Sequence, residues 1–156
     1  MHINLQTYLV KKFPKLYIDT SDNKRSVDFY FECDDGWFRL ILWLSRYLQL
    51  YVDKQNTWSK KYPDVYQPIE QIKVIEVKEK FGILRYNVIN GNSHTESIIQ
   101  FAEFISGCIC EYTGKTEDVG YNKLGWVKST HISKTYTELD FNYIDDEELR
   151  KILKTI

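Results

Sequence analysis

VIEVKEKFGILRYNV, residues 74–88, is the stretch that decides the fold of this chain. Successive side chains of a strand point to opposite faces, so Ile75, Val77 and Phe81 share one face and charged residues share the other. The alternation resumes after Gly82, a residue that tolerates backbone angles most others avoid. Two alternating runs around a glycine predict a hairpin with a tight or bulged turn, and we expect its apolar face to be buried.

The other face of this hairpin and its turn are charged. They carry acidic and basic side chains together: Glu76, Lys78, Glu79, Lys80 and Arg85. One interpretation is a solvated surface with cross-strand ion pairs, each contributing about 0.2–1 kcal/mol. The other is a recognition surface with fixed charges. Solvated surface charge is the ordinary role of such residues, so the first interpretation is preferred.

Length and composition limit the class of protein. A chain of 156 residues with a formal net charge of −1 is predicted to fold as a domain with a real hydrophobic core. The near-neutral charge provides no overall attraction to nucleic acid or to membranes. The sequence has no apolar run long enough to span a bilayer and no signal-peptide pattern. Cys33, Cys108 and Cys110 are an odd number of cysteines, so we expect reduced thiols and a cytoplasmic protein.

Helical and extended patterns precede the hairpin. Residues 3–13 predict a short amphipathic helix, and residues 27–33 alternate as a strand. A long helix is predicted over residues 36–56, with Asp34 or Asp35 as its N-terminal cap. Its apolar surface is wide, so we expect both of its flanks to be covered, by the sheet and by a second helix or a partner.

A long connecting loop is predicted over residues 57–68, and long loops in compact domains are often functional or mobile. After the hairpin, Ser93 and Glu96 have the spacing of a capping box. The apolar positions that follow predict a second amphipathic helix over about residues 95–110.

The predicted architecture is a single α+β domain over residues 1–156. A small antiparallel sheet packed by two main amphipathic helices forms a core over about residues 27–110. A short ribbon-like appendage follows over about residues 110–131. Acidic residues then open a C-terminal tail helix over about residues 145–155, where they favour the positive end of the helix dipole.

Four segments occur in an order typical of a known group of proteins: DDGWF at 34–38, VKEKFGILRY at 77–86, IIQFAEFISGCICEYTG at 98–114 and GWVK at 125–128. Together they resemble a widespread family of small bacterial and prophage proteins of unassigned function. Related sequences lie beside polymorphic-toxin genes, where small proteins often serve as immunity factors. The resemblance covers about residues 27–131 and implies a genomic context without implying a reaction.

The end segment of that family resembles a zinc ribbon, and this chain departs from its ligand pattern. Cys110 matches the first ligand and His131 the third, whereas Thr113 and Lys134 stand at the second and fourth positions. Cys108 is a substitute, which makes Cys108, Cys110 and His131 the candidate metal ligands. Structural zinc takes four Cys or His ligands, so this set is one short. We expect no cofactor, with bound zinc as the alternative.

The sequence contains no phosphate-binding loop, nucleophile elbow or metalloprotease motif. We therefore expect a non-enzymatic immunity protein that binds and neutralises a cognate bacterial toxin. Its candidate partner-binding residues are aromatic or acidic: Trp58, Tyr62, Tyr66, Tyr121, Asp145, Asp146, Glu147 and Glu148. One alternative is a phage or prophage accessory protein that binds nucleic acid through the ribbon-like segment. Another is an enzyme with Cys33 close to a histidine.

Overall fold

The computed structural model describes residues 1–17, 29–117, 119–121, 129–131 and 151–152. Helices and short strands follow in this order: α1 (Ile3–Lys12), α2 (Pro14–Tyr17), β1 (Phe31–Glu32), a 3-10 helix (Asp35–Trp37), α3 (Phe38–Lys61), β2 (Lys73–Lys80), β3 (Ile83–Ile89), α4 (Ser93–Ser106), β4 (Val119–Tyr121) and β5 (Ser129–His131). Helices packed on a small sheet confirm the α+β class.

The three-stranded sheet has β2 in its centre. β2 and β3 form the predicted antiparallel hairpin, with Val77 opposite Tyr86. β1 instead runs parallel to β2, with Phe31 opposite Val77. The predicted antiparallel pairing does not extend to β1, because the chain crosses back through α3 before it enters β2. A crossover of this kind is what joins parallel neighbours, so the sheet is mixed.

An irregularity in β2 changes which side chains face the core. The register of the hairpin shifts between Val74 and Glu76, as in a β-bulge. A bulge adds one residue to the strand and reverses the alternation beyond it, so Val74 and Val77 are both buried. Ile75 is 58% exposed. The prediction that Ile75 lies on the buried face is therefore wrong.

The hairpin turn places an aromatic ring in solvent. Phe81 and Gly82 connect the strands with φ angles of 55° and 78°. Positive φ at both central residues is typical of a type I′ turn, which confirms the predicted tight turn. Phe81 is 70% exposed, so its predicted place on the buried face is wrong. The strand alternation ends at Lys80, and the turn geometry sets the direction of the next side chain.

Replacement of Phe81 by Asn is expected to raise the free energy of unfolding by about 1 kcal/mol, because Asn tolerates a positive φ that a bulky residue resists. Urea denaturation followed by circular dichroism measures the change. Phe81→Ala is the matched control, since it removes the exposed ring and keeps a residue that disfavours positive φ. Equal stabilities of the two variants would contradict this explanation.

α3 ends at Lys61, five residues beyond its predicted end at about residue 56. Lys60 and Lys61 lie in the last turn, where cations interact favourably with the helix dipole. Pro63 follows closely and disfavours further helix. Trp58 therefore lies on the helix, and its predicted place in a loop is wrong.

α4 starts at Ser93 and is capped by the residue before it. The side chain of Asn92 accepts a hydrogen bond from the N–H of Thr95 at 3.1 Å. The Thr95 hydroxyl in turn accepts the N–H of Asn92 at 2.8 Å. This is a capping box, displaced by one residue from the predicted pair of Ser93 and Glu96. α4 also ends at Ser106, earlier than predicted.

The two aspartates predicted to cap α3 have other positions. Asp34 precedes the 3-10 helix and makes no side-chain capping bond to it. Asp35 accepts the backbone N–H of His2 at 2.5 Å, which links the start of α1 to the 3-10 helix. The predicted capping role is wrong because a 3-10 turn separates these residues from the first turn of α3.

A hydrophobic core lies between the sheet and the helices. Its largest fully buried side chains come from the 3-10 helix, the sheet, helices α1 to α3 and the residue before β2: Trp37, Tyr86, Phe31, Phe38, Leu5, Leu9, Leu16, Ile41, Leu48, Leu84 and Ile72. Helix α4 adds the buried Ile99 and Ala102, so the three-stranded sheet and helices α1 to α4 share one core.

Helix side chains cover both edges of the sheet. On the β1 edge, Gln6 accepts the N–H of Phe31 at 3.0 Å. On the β3 edge, Glu103 accepts the N–H of Tyr86 at 2.9 Å, and the hydroxyl of Ser106 accepts a second N–H of β3 at 2.8 Å. Unpaired strand edges are templates for association, so these contacts make both edges of the sheet poorer surfaces for strand pairing.

The segment after α4 packs closely against the 3-10 helix. The N–H of Gly36 donates to the carbonyl of Glu111 at 2.7 Å. The indole N–H of Trp37 donates to the carbonyl of Ile109 at 3.0 Å. A β-carbon at Gly36 would lie 2.2 Å from the carbonyl oxygen of Cys110. Glycine is required at this close backbone approach.

Two strands of the predicted ribbon-like appendage are described. β4 and β5 pair antiparallel, with Val119 opposite His131. Residues 122–128 of this appendage lie outside the described residues. In the predicted tail helix over about residues 145–155, Ile152 is helical and packs against the core, and the acidic start of that helix lies outside the described residues.

Candidate functional site

One side of α3 is buried and another side is exposed and aromatic. Ile41, Leu44 and Leu48 face the core. Large side chains at a different set of helical positions are 39–49% exposed: Trp43, Tyr47, Leu50 and Trp58. We call this surface, together with Leu40, Tyr51, Tyr62 and Tyr66, the aromatic face. Exposed apolar patches of this kind mark interaction surfaces.

The structure brings together three of the predicted partner-binding residues. The rings of Trp58 and Tyr66 lie 5.3 Å apart, and those of Tyr62 and Tyr66 lie 6.5 Å apart. The chain after α3 is fixed by Asn56, whose side chain makes two hydrogen bonds to the backbone of Ile69 at 2.9 and 3.0 Å. These rings therefore extend the exposed side of α3 beyond its last turn.

The first turn of α4 adds a histidine to this surface. The hydroxyl of Tyr47 and Nε2 of His94 are 2.8 Å apart, within hydrogen-bond distance. The His94 ring lies 4.7 Å from the ring of Tyr51. The Tyr51 hydroxyl accepts a hydrogen bond from the side-chain amide of Asn92 at 3.1 Å. These contacts fix two tyrosine rings of α3 against the cap of α4.

Two grooves lie along the aromatic face. One has a volume of about 240 Å³ and is lined by Tyr47, Leu50, Tyr51, Lys54, Gln55 and Trp58. The other also has a volume of about 240 Å³ and lies where α3 meets the segment after α4, lined by Gly36, Arg39, Leu40, Trp43, Ile109, Gly114 and Thr116. Both are mainly apolar, and each is open at the surface. A larger and more polar groove of about 370 Å³ lies between β3 and α4.

The charge of α3 differs from that of the whole chain. α3 carries five basic residues and one acidic residue, a net charge of +4, whereas the chain has −1. The acidic residue, Asp53, pairs with Lys15 of α2 at 3.3 Å. The guanidinium of Arg46 lies 5.1 Å from the ring centre of Trp43. Cations next to exposed aromatic rings give this surface a basic character.

The other predicted partner-binding residues cannot be placed on this surface. The backbone of Tyr121 lies in β4, and the structure describes only the backbone of this residue. Asp145, Asp146, Glu147 and Glu148 lie outside the described residues. Their role in partner binding stays a prediction.

The candidate metal ligands occupy different environments. Cys110 is buried, whereas Cys108 is exposed, and only the backbone of His131 is described, in β5. The hydroxyl of Thr113, at the place of the second ligand, accepts the N–H of Lys115 at 3.3 Å. Within the described part of the chain, no three His, Cys, Asp or Glu side chains are placed to hold a metal ion. Zinc binding by the three predicted residues stays a hypothesis.

Cys33 is placed as a structural thiol. Burial, together with the nearby carboxylates of Glu111, Asp34 and Asp35, raises its pKa to about 12, although the Met1 ammonium acts in the opposite direction. The thiolate is the nucleophilic form of cysteine, so a thiol with this pKa is protonated and unreactive at neutral pH. The geometry thus supplies no activated nucleophile at Cys33 for the enzyme hypothesis.

Several residues of the aromatic face were missed from the sequence. The sequence predicts that Trp43 and Leu50 are covered by the sheet and by a second helix or a partner, and it does not connect Tyr47 or His94 with them. Their signal was a second helical stripe, offset from the buried one and interrupted by basic residues. An apolar stripe flanked by charge on a long helix is a feature that sequence alone can provide.

Comparison with known proteins finds no matching protein family, curated protein or solved structure. None of the described helices combines the length and apolar character needed to cross a membrane. Fold and surface together define a small α+β domain with an exposed aromatic and basic helix.

Proposed function

We propose that this chain is a non-enzymatic protein-binding module whose contact surface is the aromatic face of α3. The observation that supports the proposal is the contrast between the two sides of α3. One side is packed in the core, whereas the other exposes Trp43, Tyr47, Leu50 and Trp58 to solvent. Aromatic residues and arginine are enriched in protein interfaces. The two grooves offer places for anchoring side chains of a partner, as at interface hot spots.

The specific activity we propose is neutralisation of a cognate bacterial toxin in the cytoplasm. The motif resemblance to prophage proteins with toxin-linked relatives supports this choice. A contact surface built on one packed helix also suits an inhibitor, since little side-chain and loop order has to be gained on binding. The sheet edges, whose N–H groups are partly covered by Gln6 and Glu103, offer a poorer contact surface.

Trp58→Glu is expected to weaken binding to a toxin encoded by a neighbouring gene about 100-fold, because loss of an anchoring aromatic residue removes on the order of 3 kcal/mol of binding energy. Isothermal titration calorimetry measures the affinity, and co-expression in growing cells measures protection. Trp58 is 43% exposed, so the variant is expected to fold normally.

Phe104→Glu is the matched control, since Phe104 is an exposed aromatic residue of another helix, 73% accessible. We expect its affinity to stay within about 3-fold of the unchanged protein. Loss of binding in Phe104→Glu with full binding in Trp58→Glu would assign the contact to α4 and refute the proposed surface. Absence of protection by the unchanged protein would refute the toxin partner.

A second function, binding of single-stranded nucleic acid, has one observation in its favour. Basic and aromatic side chains alternate along α3, as with Arg46 over Trp43 and Lys61 over Tyr62. Bases stack on such rings while cations attract the phosphates. Retention of an oligonucleotide on a filter at low salt, with a steep loss on adding salt, is the expected result. No retention at low salt removes this function.

A further inference from the structure

We propose that the partner contacts the aromatic face through an acidic amphipathic helix that lies along α3, an inference that rests on the proposed protein-binding function. The spacing of the exposed residues is the first observation. Leu40, Trp43, Tyr47, Leu50 and Lys54 follow one another at alternating intervals of three and four. This alternation is the seam on which a second helix packs by knobs into holes.

The distance between the two grooves along α3 also matches the geometry of a partner helix. The α3 residues that line one groove centre near Leu40, and those that line the other centre between Tyr51 and Lys54. The two centres are thus about 12 residues apart, or ~18 Å along the helix. On a partner helix, residues about 11 positions apart lie on the same face after three turns. One large side chain in each groove fits this spacing.

Charge decides what kind of helix fits. Lys54 lies in the seam, Arg46 and Lys61 lie on the same helix, and α3 has a net charge of +4. A second copy of this chain would place the same basic helix against itself, and like charges across an interface are unfavourable. A partner helix with Glu and Asp on either side of its apolar stripe is complementary. The same charge excludes a basic helix.

Two synthetic peptides of about 18 residues test this inference, a length that covers the seam at 1.5 Å per residue. Both carry Leu at the seam positions and two Trp residues about 11 positions apart. One has Glu at the flanking positions and the other has Lys. The acidic peptide is expected to bind about 30-fold more tightly than the basic peptide, as measured by fluorescence anisotropy. Its affinity is expected to fall as salt is added.

Charge reversal on the protein supplies the matched test. The double variant Arg46→Glu with Lys54→Glu is expected to invert the preference, so that the basic peptide binds more tightly. Lys11→Glu, on the exposed part of α1, is the control and is expected to keep the original preference. Circular dichroism of each variant verifies its fold.

Several outcomes overturn the inference. The first is that the two peptides bind equally or not at all. The second is that oligouridylate displaces the acidic peptide, and the third is that sedimentation shows a stable homodimer that excludes the peptide. If the peptides fail while Trp58→Glu still impairs toxin binding, the helical partner is refuted and the proposed function stands. If Trp58→Glu leaves toxin binding intact, the aromatic face is refuted as the contact surface.

Discussion

Gly36→Ala is expected to prevent folding or to lower the free energy of unfolding by about 4 kcal/mol or more. The new β-carbon would lie 2.2 Å from the carbonyl oxygen of Cys110, 2.4 Å from the amide nitrogen of Gly114 and 2.5 Å from the carbonyl oxygen of Glu111. All three are backbone atoms, so relief requires a shift of the chain. That shift would break the 2.7 Å hydrogen bond between Gly36 and Glu111.

Gly91→Ala is the control for this prediction. Its β-carbon would lie 3.1 Å from the hydroxyl of Thr95 and 3.2 Å from a methyl group of Val88, which are side-chain atoms. Small side-chain movements relieve such contacts, so we expect a change of about 1 kcal/mol or less. Urea denaturation followed by circular dichroism compares the two variants. A Gly36→Ala protein as stable as Gly91→Ala would show that the close approach between the 3-10 helix and the segment after α4 is absent.

Alkaline pH is expected to destabilise the domain, by about 2 kcal/mol from Tyr86 alone between pH 10 and 12. Tyr86 lies in a buried hydroxyl cluster, 3.0 Å from the hydroxyl of Tyr17 and 3.2 Å from that of Ser45. Burial raises the pKa of Tyr86 to about 12 and that of Tyr17 well above its ordinary value of 10. Both hydroxyl groups are therefore protonated in the folded protein at neutral pH.

The direction of the effect follows from these pKa values. A folded-state pKa above the unfolded one gives stability that is fully present below pH 10 and is lost as the pH rises through about 12. Cys33, with a pKa raised from 9.0 to about 12 by burial, begins to contribute to the same loss near pH 9. Acidic conditions leave these contributions unchanged.

Tyr86→Phe separates this cluster from other alkaline effects. At pH 7 the variant is expected to lose about 1–2 kcal/mol, because Tyr17 and Ser45 each lose a hydrogen-bond partner. Between pH 10 and 12 its stability is expected to fall less steeply than that of the unchanged protein. Tyr62→Phe, at an exposed position, is the control and should alter neither value. Identical slopes for Tyr86→Phe and the unchanged protein would exclude Tyr86 as the source of the alkaline loss.

Local pattern predicted the hairpin and the two long helices, since alternation and helical periodicity are properties of neighbouring residues. It failed at Ile75 and Phe81, where a bulge and a type I′ turn redirect side chains. It failed again at the start of α4, because Asn92, Ser93 and Thr95 belong to the same class of capping residues. Choice among them depends on the path of the preceding strand.

The candidate site was predicted in part. The grouping of Trp58, Tyr62 and Tyr66 was accessible, because they are close in sequence and aromatic. The contacts of Tyr47 and Tyr51 with His94 could not be predicted from the sequence, since they connect α3 and α4 through residues more than forty positions apart. Such contacts depend on how both helices pack on the sheet.

By itself the sequence determined the hairpin at its centre, the two amphipathic helices and the wide apolar surface of α3. Only the tertiary structure decided that one side of α3 is buried by the core and that the side with Trp43, Tyr47 and Leu50 stays in solvent. The physical reason is that burial depends on tertiary packing, because an apolar side chain is covered only where another element packs against it.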